Sequence, residues 1–188
     1  RSVSRGLGDV YKRQMFTMMN NARLGVGGQG IGVAEAAFQH STEYALNRKQ
    51  GKSTIQNKHG TIIDHADVRR MLISMRADIF ASRSIELENA KAIDMANATE
   101  EPEWINKAAF LTPITKVFGT EIGINISNLG VQIHGGMGFI EETGAAQFSR
   151  DVRVTAIYEG TNGIQAMDLV GRKTVSYTHL RAHETRFY

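Results

Sequence analysis

The sequence predicts an all-α fold, an antiparallel four-helix-bundle-like domain, and two observations carry that expectation. Apolar residues recur at helical spacing, most clearly Val68, Leu72, Met75 and Ile79 at intervals of four, three and four, which puts them on one helical stripe. No stretch shows a convincing alternation of apolar and polar residues with the period of two that a half-buried strand requires.

Taken in order, Met15 to Gln50 is rich in helix formers and carries Ala34, Ala37, Phe38, Tyr44 and Ala45 at spacings compatible with one helical face. It reads as one long helix, bent or straight. Gly51 to Asp64 is polar, with Lys52, Ser53, Asn57, Lys58, His59 and Gly60, and reads as an exposed loop between antiparallel helices. The next helix begins near His65, with Arg69, Arg70 and Arg76 turned to solvent. The acidic run Thr99 to Glu103 contains Pro102, which removes a backbone donor and restricts its predecessor, so the helix stops and restarts there. The following helix reaches to about Ile133 on Leu111, Ile114, Val117, Phe118, Ile122, Ile126 and Leu129. Thr112-Pro113 near its front is either a cap followed by proline at the first helical position or a kink, with the kink favoured. Gly135 and Gly136 end it, an acidic turn at Glu141 and Glu142 opens another, and a last helix starts near Asn162.

Composition narrows the function. The chain has 188 residues, 41% of them hydrophobic, and no cysteine. It is therefore long enough for one domain with a core, lacks any membrane-length apolar run, and has no thiol chemistry. The formal charge of +3 resides in the ends: residues 1–14 carry +3 and residues 176–188 carry +1, leaving −1 on residues 15–175. A nucleic-acid partner is not expected from a near-neutral core. Both ends lack a periodic apolar face and a secretory signal; they resemble translated adaptor read-through. The expected organisation is a non-native or disordered flank at 1–14, one helical domain at 15–175 and a second such flank at 176–188, the natural portion being an internal fragment. A cytoplasmic location is the default.

The motifs point to one carboxylate. Glu159 sits between Ile157-Tyr158 and Gly160, just ahead of a helix start in which Asn162 is a possible cap and Gln165 stands three positions on. Such a carboxylate is open to desolvation, which favours its protonated form and suits proton abstraction. Backbone N–H groups at the helix start could hold an oxyanion. The plain alternative is an acidic residue complementing a helix N-terminus. Gly25-Val26-Gly27-Gly28-Gln29-Gly30 matches a dinucleotide fingerprint in letters only, since no strand precedes it; close helix packing is expected instead. The glycines of Gln132-Ile133-His134-Gly135-Gly136-Met137-Gly138 would let a ligand approach the backbone, or simply stop the helix. Arg48 is either a phosphate ligand or a dipole-complementing charge. No two histidines sit at metal-ligand spacing on one helix, so no metal is expected.

HGGMGFIEETGAAQ, followed by RDVRVTAIYEGTNGIQAMDLVGRK, resembles the carboxy-terminal catalytic segment of the acyl-CoA dehydrogenases, and the similarity runs from about Met15 to Lys173. MFTMMNNARLGVG, LTPITK and DLVGRK are most similar to the branch containing 3-methylmercaptopropionyl-CoA dehydrogenase. The resemblance implies FAD as cofactor and α,β-dehydrogenation of an acyl-CoA thioester, possible substrates including 3-methylmercaptopropionyl-CoA, to a trans-2-enoyl-CoA. Glu159 would be the catalytic base. Arg48, Gln132, Gly136 and Thr161 would bind FAD, much of which a neighbouring subunit holds. Arg23, Tyr158 and Gly160 would line the substrate site, although Arg23 could equally be a solvated surface charge. At Arg48 the family commonly continues Arg-Lys-Thr-Phe-Gly, whereas this chain has Arg48-Lys49-Gln50-Gly51. The resemblance also implies a homodimer or homotetramer, electron-transfer flavoprotein as acceptor, and further domains without which the isolated chain neither retains FAD nor turns over substrate. The rival expectation is a non-catalytic helical relative used for oligomerisation or nucleic-acid binding.

Overall fold

The computed structural model describes residues 2–53, 55 and 59–174. Three long helices form the frame: α1 (Ser2–Asn47), α2 (Ala66–Thr99) and α3 (Pro102–His134). A short α4 (Gly136–Phe139) and the helix α5 (Ala145–Arg153) follow, and α6 (Asn162–Asp168) continues into a π-helical turn, Leu169–Lys173. The architecture is all-α, as expected, with α5 in fourth place beside α1 and α3. The core is formed by Ala34, Ala37, Leu72, Met75, Ile79, Ile122, Ile126 and Ile133 with their neighbours, so the stripe read on α2 faces inward, Val68 at its edge.

Glycine determines how α1 and α3 meet. A Cβ at Gly27 would stand 2.8 Å from the Thr115 carbonyl oxygen, and one at Gly30 would stand 2.5 Å from that of Gly119. Reciprocally, a Cβ at Gly119 or Gly123 would strike the carbonyl of Gly27 or Gly30. The two backbones touch, and the pairings advance together along both chains, so α1 and α3 run parallel while α2 returns between them. The fingerprint-like glycines are therefore packing residues. Gly25 is an exception, since nothing lies near its Cβ position.

Three details differ from the expectation and one agrees with it. Residues 2–14 are not an unstructured arm, because α1 extends unbroken to Ser2; once a helix is nucleated, each added residue gains a bond without a new nucleation cost. The other flank, 176–188, lies outside the described residues. The polar segment after α1 is not all loop but contains an antiparallel ribbon, β1 (Lys49–Lys52) with β2 (His59–Thr61). Alternation is missing from its sequence because β1 is exposed throughout, and with both faces in water there is no apolar face to encode. Pro113 lies inside α3, as the favoured alternative required, and Pro102 occupies the N-terminal position. Lastly, α6 is capped by Thr161, whose hydroxyl accepts from Ile164 N–H at 3.4 Å, not by Asn162.

Candidate active site

The segment between α5 and α6 turns sharply through two residues of positive φ, Glu159 at 54° and Gly160 at 87°. Glycine tolerates this region, whereas a residue with a side chain is strained there by about 1–3 kcal/mol unless its surroundings hold it. Two side chains do so. Arg23 Nε donates to the Glu159 carbonyl oxygen at 3.4 Å, and Gln165 Nε2 donates to the Glu159 and Gly160 carbonyls, each at 3.4 Å. Gly160 is required by space as well, since a Cβ there would stand 2.6 Å from Gln165 Nε2.

Arg23 is not a solvated surface charge: it is 9% exposed, with Nη1 reaching Asn20 Oδ1 at 3.2 Å and Asp168 at 3.9 Å. Asp168 is also paired with Arg172 at 2.8 Å. The guanidinium is thus committed to the protein and supports the Glu159 turn from below. Asn162, at the first position of α6, accepts from Lys116 Nζ at 2.9 Å and donates to Glu121 at 2.7 Å. Burial pushes the Lys116 ammonium below the usual lysine range; Arg23 adds to that effect and Glu121 opposes it.

Glu159 lines a cavity of about 340 Å³ with Tyr11, Met15, Met18, Met19 and Ala22. The enclosure expected from its sequence neighbours is not provided by them, because Ile157 is 53% and Tyr158 36% exposed. Side chains next to each other along an irregular turn point apart, and here the apolar wall comes from α1 instead. Tyr158 is anchored through its hydroxyl, which donates to Gln29.

The remaining site residues form a second cluster. Gln132 and Gly136 are exposed at the end of α3, Gly136 with open space at its Cβ position, and Arg48 is exposed just beyond α1. Between Tyr44 and His134 the rings stack at 4.2 Å, which fixes these helix ends side by side. His134 is itself buried between Tyr44 and His40, with Nδ1 on the Gly130 carbonyl at 2.7 Å. Its basicity is lowered by burial first, with His40 adding to the effect and the Gly130 bond opposing it. Arg23 and Arg48 are about 25 residues apart along α1, roughly 37 Å at the helical rise. The structure therefore brings Arg23, Tyr158, Glu159, Gly160 and Thr161 together at one end of the bundle, and Arg48, Gln132 and Gly136 at the other.

Sequence reasoning missed Lys116, Thr120 and Asp168. One signal was present: Thr112, Lys116 and Thr120 repeat at intervals of four along α3, a polar line on its buried side. Among the described residues no acidic and histidine cluster is placed to hold a metal ion, and no helix is long and apolar enough to cross a membrane.

Comparison with known proteins identifies the family. Residues 12–174 match the family described as acyl-CoA dehydrogenase, C-terminal domain. The chain is 48% identical over 168 residues to 3-methylmercaptopropionyl-CoA dehydrogenase of Ruegeria pomeroyi, covering 87% of this chain and 29% of that protein. It is 34% identical to subunit CarC of the caffeyl-CoA reductase-Etf complex of Acetobacterium woodii, covering 88% of this chain and 40% of that one. Among solved structures, an acyl-CoA dehydrogenase of Bacillus anthracis complexed with FAD superposes with a TM-score of 0.76 at 27% identity, over 90% of this chain and 29% of its own. The chain thus spans well under half the length of these relatives. A family match over most of its residues, on a fold with the same helical frame, establishes that the chain belongs to the acyl-CoA dehydrogenase family.

Proposed function

We propose that this chain is the base-bearing helical segment of an FAD-dependent acyl-CoA dehydrogenase, and that Glu159 removes the α-proton of an acyl-CoA thioester. The observation carrying this reading is the held turn: a carboxylate presented from a left-handed backbone, fixed by Arg23 and Gln165, at the wall of an apolar cavity. A base must be positioned as well as basic, and a strained conformation fixed from two sides is a form of preorganisation.

In this reading the Glu159 carboxylate accepts the α-hydrogen as a proton, and the β-hydrogen leaves as hydride, so that the Cα–Cβ bond becomes the trans double bond of a 2-enoyl-CoA. FAD, when bound, supplies the two-electron acceptor for that hydride. The Glu159 N–H has no acceptor among the described residues and would donate to the thioester oxygen as negative charge develops there. The methionines of α1 would exclude water from the acyl chain. Arg23 would act from beneath, through the Glu159 carbonyl, rather than on substrate. Tyr158 and Gly160 would shape the substrate site, and Thr161 would face the isoalloxazine.

Gln132, Gly136 and Arg48 fit the pyrophosphate end of FAD: an amide, an open glycine backbone and a guanidinium stand at one helix end. The roughly 37 Å of helix between Arg23, beside Glu159, and Arg48 exceeds the reach of one extended FAD, so the two ends would serve two FAD molecules. That arrangement calls for a homodimer or a homotetramer. The relative from the caffeyl-CoA reductase-Etf complex supports electron-transfer flavoprotein as the acceptor, and the Ruegeria relative supports 3-methylmercaptopropionyl-CoA as one substrate to try. A cytoplasmic location is part of this reading. The rival of a non-catalytic nucleic-acid or oligomerisation module has no observation in its favour, since the excess basic charge lies in the flanks.

The test is Glu159→Gln in the full-length enzyme carrying this segment, with a panel of thioesters from butyryl-CoA to 3-methylmercaptopropionyl-CoA. The variant should bind acyl-CoA yet fail to bleach its flavin, because an amide keeps the size but cannot accept the proton. Near-normal bleaching would remove Glu159 from the reaction.

A further inference from the structure

Among the described residues Lys116 is the largest fully buried side chain, with 0% of its surface exposed. Its ammonium donates to a neutral amide, Asn162 Oδ1, at 2.9 Å. Burying an ammonium against one amide returns less than desolvation costs, and an apolar residue of similar length would fill the same volume with no charge to bury. Stability alone does not explain a lysine here.

Its placement does. Asn162 is fully engaged: its oxygen faces Lys116, and its amide nitrogen contacts Thr120 Oγ1 at 3.1 Å and Glu121 Oε1 at 2.7 Å. The Thr120 hydroxyl lies 3.1 Å from the Val117 carbonyl, which can take its proton. Asn162 begins α6, three residues after Glu159, and one turn later Gln165 holds the carbonyls of Glu159 and Gly160. A fixed lysine on α3 is thereby connected through one amide to the helix that holds the base.

We propose that Lys116 is a positioning residue for Glu159: acting through Asn162, it fixes the first turn of α6 and with it the left-handed turn that presents the carboxylate. The proposal rests on the dehydrogenase reading above and adds to it a residue that never touches substrate.

The experiment uses the full-length flavin-loaded enzyme with Lys116→Met, Lys116→Gln, Asn162→Ala and the Lys116→Met/Asn162→Ala double variant. Lys116→Met should lower kcat on the order of 100-fold, the scale of a small misplacement of a catalytic group, while KM stays within about twofold and the thermal midpoint is unchanged or raised. The double variant should be no slower than the slower single one, because both remove the same connection. Lys116→Gln keeps a donor and should recover part of the rate, and it serves as the main probe if Lys116→Met does not fold. An unchanged kcat in folded Lys116→Met or Lys116→Gln overturns the proposal, as does multiplication of the two single losses in the double variant. A readout independent of turnover is the amide spectrum of the 188-residue chain. Lys116→Met should move the Glu159 and Gly160 signals, and shifts confined to α3 would overturn the proposal even if the enzyme proved inactive. Glu159→Gln separates the two readings: loss of bleaching there with an unchanged Lys116→Met removes only the lysine, and near-normal bleaching there removes the base.

Discussion

Adding one carbon at Gly30 should separate the two main helices, whereas adding it two residues later should stabilise the protein. At Gly30 the new methyl would lie 2.5 Å from the Gly119 carbonyl oxygen and 2.9 Å from Thr120 Cα. That first distance is about 0.8 Å short of the ~3.3 Å at which carbon and carbonyl oxygen ordinarily meet. Both partners are backbone, so no rotamer change relieves the overlap, and overpacking of this kind costs about 1–3 kcal/mol. At Gly32 nothing lies within 4 Å of the new Cβ, leaving only the gain of about 0.4–1 kcal/mol from a less flexible unfolded chain and better helix propensity. Both positions are interior to α1, so the propensity gain is shared and the difference between the variants isolates packing. Urea unfolding should rank Gly32→Ala above the parent and Gly30→Ala below Gly32→Ala by about 1–3 kcal/mol. Equal midpoints for the two variants would show that α1 and α3 do not meet backbone to backbone.

Replacing Arg23 should act on stability as well as rate, because Arg23→Met removes the donor to Glu159 and one of the two cations beside buried Asp168. A loss of about 1–3 kcal/mol is expected by urea unfolding, and Arg23→Lys should recover only part of it because lysine lacks the fork; parent-like stability in Arg23→Met would contradict this role. The stacked His134 makes the fold acid-sensitive. Folded His134 binds its proton less readily than the unfolded residue, so the unfolded state takes up more protons. Stability should accordingly be lost as pH falls from about 6.5 through the lower folded value and level off below it. His134→Phe should flatten that limb in urea titrations at a series of pH values, and an unchanged slope would show that His134 does not control it.

The frame was legible because its signals are local and repeated. The stripe on α2, the proline at Pro102 and the glycine stop after His134 each reflect chemistry within a few residues, and each is found where expected. The ribbon after α1 was hidden because a strand exposed on both faces writes no alternation. At the candidate site, Glu159 and Gly160 were singled out by resemblance and by the run YEGT, but the reason the turn holds was not readable. It depends on Arg23, 136 residues away along the chain. Likewise the cap moved from Asn162 to Thr161 because Asn162 is drawn to Lys116 and Glu121 on another helix. Which residue such a long-range partner will meet is written in no local pattern, even where, as at Lys116, its burial is.

The seam between α1 and α3 has one further consequence. Where side chains interdigitate, a small displacement can be absorbed by rotamers; where carbonyl rests on glycine there is no such cushion, and the paired helices behave as a single beam. Thr120 lies in that seam and also contacts Asn162. The spacing between two main chains, rather than the reach of any flexible group, is then the ruler from which the position of Glu159 is measured.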